Sequence, residues 1–263
     1  MVDKIYEIKN FIKKQKPLIH CITNPISVNQ CANVILSIGA KPIMAEHPEE
    51  VCEITATADG LMLNLGSITD TKMEAMLISA SKANEKGIPI VLDAVGVACS
   101  GLRRKYIIDL LGKATMSVIK GNYSEINALY NEQYSSVGVD ADASITRDKV
   151  KEAAVSLALK YQAVILATGQ TDVVTDGKRT VCVKNGTSQL ASVTGTGCML
   201  GALCCAFTAV ASPMDAAACA CYYFGICGEL AKTDKGNGSF MVNLMDRIST
   251  STKDEILDVE EKQ

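Results

Sequence analysis

The chain has 263 residues, 48% hydrophobic and 21% charged, with a formal net charge of −3. That length and balance suit a globular α/β domain with a sizeable core and give no support to a disordered or fibrous chain. The small negative charge, without a basic stripe interleaved with aromatics, argues against a nucleic-acid partner, and no run of about 18 uncharged apolar residues reads as a membrane span.

Residues 1–7 lack the apolar core of a leader, so a cytoplasmic location is expected. The eleven cysteines are scattered without C-x-x-C spacing and read mainly as small buried hydrophobes in a reducing compartment. In chain order, 18–22 reads as a buried strand, 26–38 as a helix stopped by Gly39, and 42–44 as a short strand. Pro48 opens a helix with Glu49 and Glu50 in its first turn, where carboxylates suit the helix dipole. A strand at 60–65 precedes a helix at 70–86, capped by Asp70 and stopped by Gly87. Strands at 89–92, 116–119 and 163–167 alternate with helices at 102–111, 124–130 and 146–161, and the polar segment 131–144 reads as a surface loop. Residues 172–175 and 180–183 form a hairpin around Asp176-Gly177. The apolar run from Cys198 to Cys227 is broken by Ser212-Pro213-Met214-Asp215 and reads as two buried helices, 198–210 and 215–232. A last helix starts near Ser239, and 251–263 is a charged tail, either helical or frayed. Strands separated by helices imply crossover units, hence a single α/β domain over 1–263 with a mostly parallel central sheet flanked by helices.

Ligands of open parallel sheets bind beyond the carboxyl ends of the strands. The residues expected there are Thr23-Asn24, Met44, Asn64-Gly66-Ser67, Asp93, Lys120-Gly121-Asn122 and Thr168-Gly169. Asp93 could hold a divalent cation through water, or be a turn residue. Lys120 could offset phosphate charge and Glu125 orient Mg²⁺, while Asn122 or Ser124 caps the next helix; both readings can hold together. His20, inside a strand, reads as a satisfied buried imidazole.

The strongest local signal is Ser192-Val193-Thr194-Gly195-Thr196-Gly197-Cys198. Gly195 and Gly197 allow a tight turn and close backbone approach, and the helix that follows aims its first N–H groups into the turn, an anion site. It is neither a Walker A loop nor a full dinucleotide fingerprint. Cys198 stands in the first turn of that helix, either near a substrate hydroxyl or as a small residue packed where nothing larger fits.

With these motifs in order (Pro17-Leu18-Ile19-His20-Cys21-Ile22-Thr23-Asn24, Gly39-Ala40-Lys41-Pro42-Ile43-Met44-Ala45, Asn64-Leu65-Gly66-Ser67, Val91-Leu92-Asp93, Gly121-Asn122-Tyr123-Ser124-Glu125-Ile126, Val174-Thr175-Asp176-Gly177, Gly195-Thr196-Gly197-Cys198), the chain resembles the hydroxyethylthiazole kinases from about Pro17 to about residue 248. Cys198 stands where related sugar and pyrimidine kinases usually carry Asp. The resemblance implies a ribokinase-like fold and ATP- and Mg²⁺-dependent phosphorylation of the primary alcohol of 4-methyl-5-(2-hydroxyethyl)thiazole in thiamine salvage. It places Asn24, Met44, Gly66 and Gly195 at the substrate, and Lys120, Asn122, Thr168 and Gly169 at the nucleotide. Asp93 and Glu125 fall near the metal, with Gly195, Thr196, Gly197 and Cys198 at the reacting centre. It further implies a homotrimer with pockets between subunits. The family usually has Arg in place of Lys120, which keeps the charge but loses the planar fork, and often Pro in place of Ala94, so a looser loop from Ala94 to Gly101 is expected. The alternatives are a hydroxymethylpyrimidine-type kinase and a non-catalytic thiazole or nucleotide binder.

Overall fold

The computed structural model describes residues 1–131 and 146–260, so the surface loop expected over 131–144 lies, apart from Asn131, outside the described residues. One sheet organises the chain. Its strands are β1 (Leu18–Ile22), β2 (Lys41–Ile43), β3 (Gly60–Asn64), β4 (Ile90–Asp93), β5 (Val118–Asn122), β6 (Val164–Thr168), β7 (Asp172–Thr175) and β8 (Thr180–Val183). Their order is β2-β1-β3-β4-β5-β6-β7-β8; the first six are parallel, and β7 and β8 run antiparallel at one edge.

The period-two alternation of each strand sends its side chains into two separate cores. Ile19, Cys21, Met62, Val91, Val118 and Leu166 face one of them. That layer is built from α1 (Val2–Gln15), α2 (Val28–Ser37), α9 (Thr196–Thr208), α10 (Pro213–Leu230), α11 (Asn237–Thr250) and α12 (Lys253–Glu260). Ile22, Leu61, Leu63, Leu92, Ile119 and Ile165 face the other. There the cover is α3 (Val51–Thr57), α4 (Asp70–Lys86), α5 (Gly101–Lys113), α6 (Tyr123–Tyr130) and α7 (Arg147–Tyr161). A short α8 (Ser188–Ala191) joins the hairpin to α9.

Several expectations are revised. Helix α1, not anticipated, buries Val2, Ile5, Ile8 and Ile12, the three-and-four spacing of an amphipathic helix. Thr69, not Asp70, caps α4, its hydroxyl accepting from the Lys72 N–H. The hairpin turn spans Asp176 to Arg179, with Asp176 Oδ1 accepting from the Lys178 and Arg179 amides. Helix α9 starts at Thr196, two residues ahead of Cys198. The charged tail is helical through Lys253–Glu260, with Ile256 in the core. All eleven cysteines are free; Cys21, Cys31, Cys204, Cys205, Cys219, Cys221 and Cys227 are buried, whereas Cys52 and Cys198 are half-buried and Cys99 and Cys182 exposed. Among the described residues no helix is long and apolar enough to cross a membrane.

Lys9 of α1 is buried without a carboxylate: Nζ donates to the Tyr223 hydroxyl at 2.6 Å and lies over the rings of Tyr6 and Tyr223. Burial pushes its ammonium down to about 8 from 10.5. Between those values the unfolded chain holds a proton at this position that the folded chain has lost, so the contribution of Lys9 to stability rises with pH across that window. The seven buried thiols, raised by burial, act in the opposite sense over the same range, so the comparison is with Lys9→Met: in denaturant unfolding the wild-type stability relative to that variant should rise by on the order of 2 kcal/mol between pH 8 and 10. A wild-type-minus-variant difference that does not change with pH contradicts this.

Candidate active site

The carboxyl ends of β3, β4 and β5 come side by side, with Asn64 opposite Asp93 and Asp93 opposite Lys120. Lys120 Nζ lies 3.0 Å from Asp93 Oδ1, and Asn64 Nδ2 donates to the other oxygen at 3.1 Å. Both members of the ion pair are buried. Burial alone would lower the Lys120 ammonium, but the Asp93 carboxylate outweighs it and holds Nζ above its usual range. Burial raises the Asp93 carboxyl while Lys120 and Asn64 pull it back; the short contact and the donors on both oxygens keep the pair ionised.

The network continues toward β1. Asn24 Nδ2 donates to Asn64 Oδ1 at 3.0 Å, and its own Oδ1 accepts from the Ile26 and Ser27 amides, which fixes the side chain. Both asparagine amides also donate to Cys198 Sγ, at 3.4 and 3.3 Å. The Gly66 N–H donates to Asn64 Oδ1 at 2.9 Å, and a Cβ on Gly66 would stand 2.7 Å from Asn24 Nδ2, so only glycine fits there. Asn24, Asn64, Gly66, Asp93, Lys120 and Cys198 thus form one connected group.

Helix α9 starts directly over that group. Gly195 takes φ 90, a left-handed conformation that glycine adopts freely, and its Cα faces Ser27. The first turn of an α-helix leaves its N–H groups without intrahelical partners. A Cβ on Gly197 would lie 3.7 Å from Lys120 Nζ, and one on Gly201 3.2 Å from Asp93 Oδ2, which sets the start of α9 against the ion pair. The Thr196 hydroxyl donates to the Leu190 and Val193 carbonyls, so what Thr196 offers the turn is its backbone amide.

On its other side the turn borders a cavity of about 660 Å³. Its lining includes Asn122, Thr168, Gly169, Thr196 and Gly197, and among its apolar residues are Leu190, Leu200 and Phe224. Gly197 is therefore shared between the cavity and the surroundings of Lys120. Asn122 pairs with Thr168 across β5 and β6 and also caps α6 in a reciprocal box: its side chain accepts from the Glu125 N–H while Glu125 Oε2 accepts from the Asn122 N–H. Glu125 Oε1 accepts from the Gly96 N–H at 2.8 Å. Burial first, and the Asp93 charge second, push the Glu125 carboxyl up to about 7 against these amides and Lys120.

A family model described as the hydroxyethylthiazole kinase family matches residues 9–254. A hydroxyethylthiazole kinase 2 of Clostridium botulinum (strain Hall) is 45% identical over 256 residues, 95% of this chain and 97% of the relative. The chain belongs to the hydroxyethylthiazole kinase family. It is a kinase by that membership. A solved hydroxyethylthiazole kinase protein from Pyrococcus horikoshii OT3 superposes with a TM-score of 0.89 at 35% identity, covering 97% of this chain and 96% of its own. A ribokinase-like superfamily protein from Enterococcus faecalis V583, 14% identical with a TM-score of 0.67 over 97% and 95% of the two chains, shares the fold alone.

Of the residues expected at the substrate or nucleotide, Met44 is the one that belongs neither to the hydrogen-bonded group, nor to the α9 turn, nor to the cavity lining. It is half-buried just past the end of edge strand β2 and packs on the α1–α2 core. His20 holds that segment: Nε2 lies 2.9 Å from the Ala45 carbonyl and Nδ1 2.9 Å from Thr55 Oγ1. Burial lowers the imidazole, which stays neutral as expected of a satisfied core histidine. The loop after Asp93 is not loose. The Ala94 N–H, which proline would lack, donates to the Lys120 carbonyl at 2.8 Å, and Arg103 and Arg104 donate to the carbonyls of Val95, Val97 and Ala98. Lys72 escaped sequence reasoning. Buried in α4, it donates to the Thr23 carbonyl at 2.9 Å and pairs with Glu46 at 3.3 Å, tying the end of β1 to the segment after β2. Nothing in its local sequence separates it from a surface lysine.

Proposed function

We propose that this kinase transfers the γ-phosphoryl group of ATP to the primary hydroxyl of 4-methyl-5-(2-hydroxyethyl)thiazole, a step of thiamine salvage, in the cytoplasm. The observation that carries the reading is the position of the Gly195–Cys198 turn between two compartments. A cavity large enough for a nucleotide borders Gly197 on one side, and the Asn24–Asn64–Cys198 group lies on the other. The same turn thus meets a phosphate chain and an acceptor alcohol.

In this account the nucleotide takes the cavity with its base toward Leu190, Leu200 and Phe224 and its phosphates toward Asn122, Thr168, Gly169 and Gly197. The thiazole alcohol lies near Asn24, Met44, Gly66 and Gly195. Its oxygen attacks the γ-phosphorus in line, the P–O bond to ADP breaks, and the hydroxyl proton leaves to solvent. The amides of residues 195–198 and the Lys120 ammonium meet the charge on the equatorial oxygens. Cys198 Sγ, already receiving two amide hydrogens, orients the alcohol; a loose transition state needs little help from a base. Cys198→Ser should lower kcat about tenfold without abolishing it, because a hydroxyl keeps an acceptor at that place. A folded but dead Cys198→Ser protein in steady-state assays would restore the cysteine as an essential base.

The residues fit a Mg²⁺ ion. Asp93 and Glu125 are two buried carboxylates, and the Asp93 charge helps push Glu125 up, a repulsion that a nearby divalent cation would relieve. Among the described residues no cluster of three or more His, Cys, Asp or Glu gathers, which suits an ion held largely by water and phosphate oxygens. Bound there, Mg²⁺ would neutralise phosphate charge.

The reading extends to a homotrimer with the thiazole pocket between subunits. Ile26, ahead of α2, Leu36 on α2 and Val242 on α11 are 59%, 55% and 61% exposed, and α2 packs on both α11 and edge strand β2. Sedimentation at equilibrium should return three chain masses; a single chain mass contradicts it. Phosphorus NMR tests the reaction itself. With ATP, Mg²⁺ and the thiazole alcohol, a phosphomonoester signal should grow as the γ-phosphate signal declines. Hydrolysis of ATP to free phosphate alone, or no change, overturns the reading.

A further inference from the structure

Asp172 opens β7 and lines the cavity beside Thr168 and Gly169. A carboxylate is the wrong sign of charge for a cavity that holds phosphates, so its presence there calls for another task. Both of its oxygens are engaged. Oδ1 accepts from the Gly169 N–H at 2.8 Å, and Oδ2 accepts from the Cys221 thiol of α10 at 2.7 Å. Burial pushes its carboxyl up to about 6, and the thiol and the Gly169 amide pull it back.

The turn it holds is otherwise weakly supported. Gly169 and Gln170 are exposed, and the Thr168 hydroxyl makes only a long 3.4 Å bond to the Gly121 carbonyl, which leaves it free to turn toward a ligand. A second anchor comes from α6. The Tyr123 hydroxyl donates to the Thr171 carbonyl, and its ring lies so close under Gly169 that a Cβ there would stand 2.7 Å away. Tyr123 thus supports the turn from below, and Asp172 ties it sideways to α10, the helix that also supplies Phe224 and Gly225 to the cavity wall.

We propose that Asp172 is a positioning residue for the nucleotide: by accepting from Gly169 and being held by Cys221, it fixes the Thr168–Gly169 turn in the conformation that meets the phosphates. This rests on the reading of the cavity as the ATP site and adds a residue that acts through Gly169 rather than on the reacting atoms. A freed turn costs binding energy for ATP without changing the chemistry once ATP is bound.

The test is steady-state kinetics on Asp172→Ala and Asp172→Asn, each with a thermal-unfolding scan. Asp172→Ala should raise the KM for ATP about tenfold, with kcat within about threefold and the KM for the alcohol unchanged. Asp172→Asn, which keeps an acceptor for Gly169, should stay within about threefold of wild type in all three. An unchanged ATP KM in Asp172→Ala, an Asn variant as impaired as the Ala variant, or equal rises in both KM values with a fall in kcat each overturn the proposal. Should the Ala variant not fold, hydrogen exchange on the wild-type protein decides. The Gly169 amide should exchange at least about tenfold more slowly than an open peptide, and exchange at the open rate overturns the proposal. Gly197→Val run in parallel separates the two claims. If it keeps wild-type ATP binding and turnover, the cavity is not the nucleotide site; if it loses them while Asp172→Ala keeps its ATP KM, only the role of Asp172 falls.

Discussion

Gly197→Val should lower kcat/KM by about a thousandfold or more while the protein stays folded. Gly197 sits in the first turn of α9 without a positive φ, and the nearest atom to a Cβ there is Lys120 Nζ at 3.7 Å, so the backbone tolerates a side chain. The branched methyls, however, would stand at the wall of the cavity proposed for the phosphates and would crowd the Lys120 ammonium. Gly195→Val should be as inactive and also less stable. Its φ of 90 is strained for a β-branched residue, by about 1–3 kcal/mol, and its Cβ would stand 3.3 Å from the Ser27 Cβ. Thermal unfolding separates the two effects, and near-normal turnover in a folded Gly197→Val protein contradicts the anion site.

Lys120→Met should cost both activity and stability. The substitution leaves Asp93 buried with Asn64 as its remaining donor, and breaking a buried pair destabilises by about 3–5 kcal/mol. Turnover should fall about a hundredfold or more, since the cation beside Gly197 is gone. Two further variants sort these effects. Lys120→Arg, which restores the residue usual in the family, should keep charge and stability and retain activity within about tenfold. The double variant Lys120→Met with Asp93→Asn removes both charges, so it should recover much of the stability and none of the activity. A Lys120→Met protein with wild-type turnover would remove Lys120 from the reaction.

Much of this was legible in the sequence for a physical reason. Buried parallel strands read as short apolar runs, and all the parallel strands here except edge strand β2 end at or beside a polar residue, so Asn24, Asn64, Asp93, Lys120, Asn122 and Thr168 could be assigned to one edge of the sheet. Their pairing could not. The contact of Asp93 with Lys120 depends on β4 lying beside β5, and the sulfur–amide contacts of Cys198 depend on α9 crossing above β3. Asn122 and Glu125 form the capping box of α6, and Asn122 also lines the cavity. Helix α1 was missed because its apolar spacing is interrupted by lysines, one of which, Lys9, turned out to be buried. Asp172 reads locally as an ordinary residue at the start of a hairpin; its partners Gly169 and Cys221 come from a turn and from a helix 49 residues away. The loop after Asp93 shows the opposite error. Replacing a rigid proline by Ala94 suggested slack, yet the recovered N–H found the Lys120 carbonyl and pinned the loop.

The central claim is that the turn of residues 195–198 serves a thiazole alcohol and ATP together. The most direct measurement compares kcat/KM for ATP-dependent phosphorylation of 4-methyl-5-(2-hydroxyethyl)thiazole with that of a hydroxymethylpyrimidine and of pyridoxal under the same Mg²⁺ concentration. The account predicts that the thiazole alcohol is preferred by about a hundredfold or more, with one ADP formed per phosphorylated product. A preference for the pyrimidine, or binding of the thiazole and ATP without any product, contradicts it.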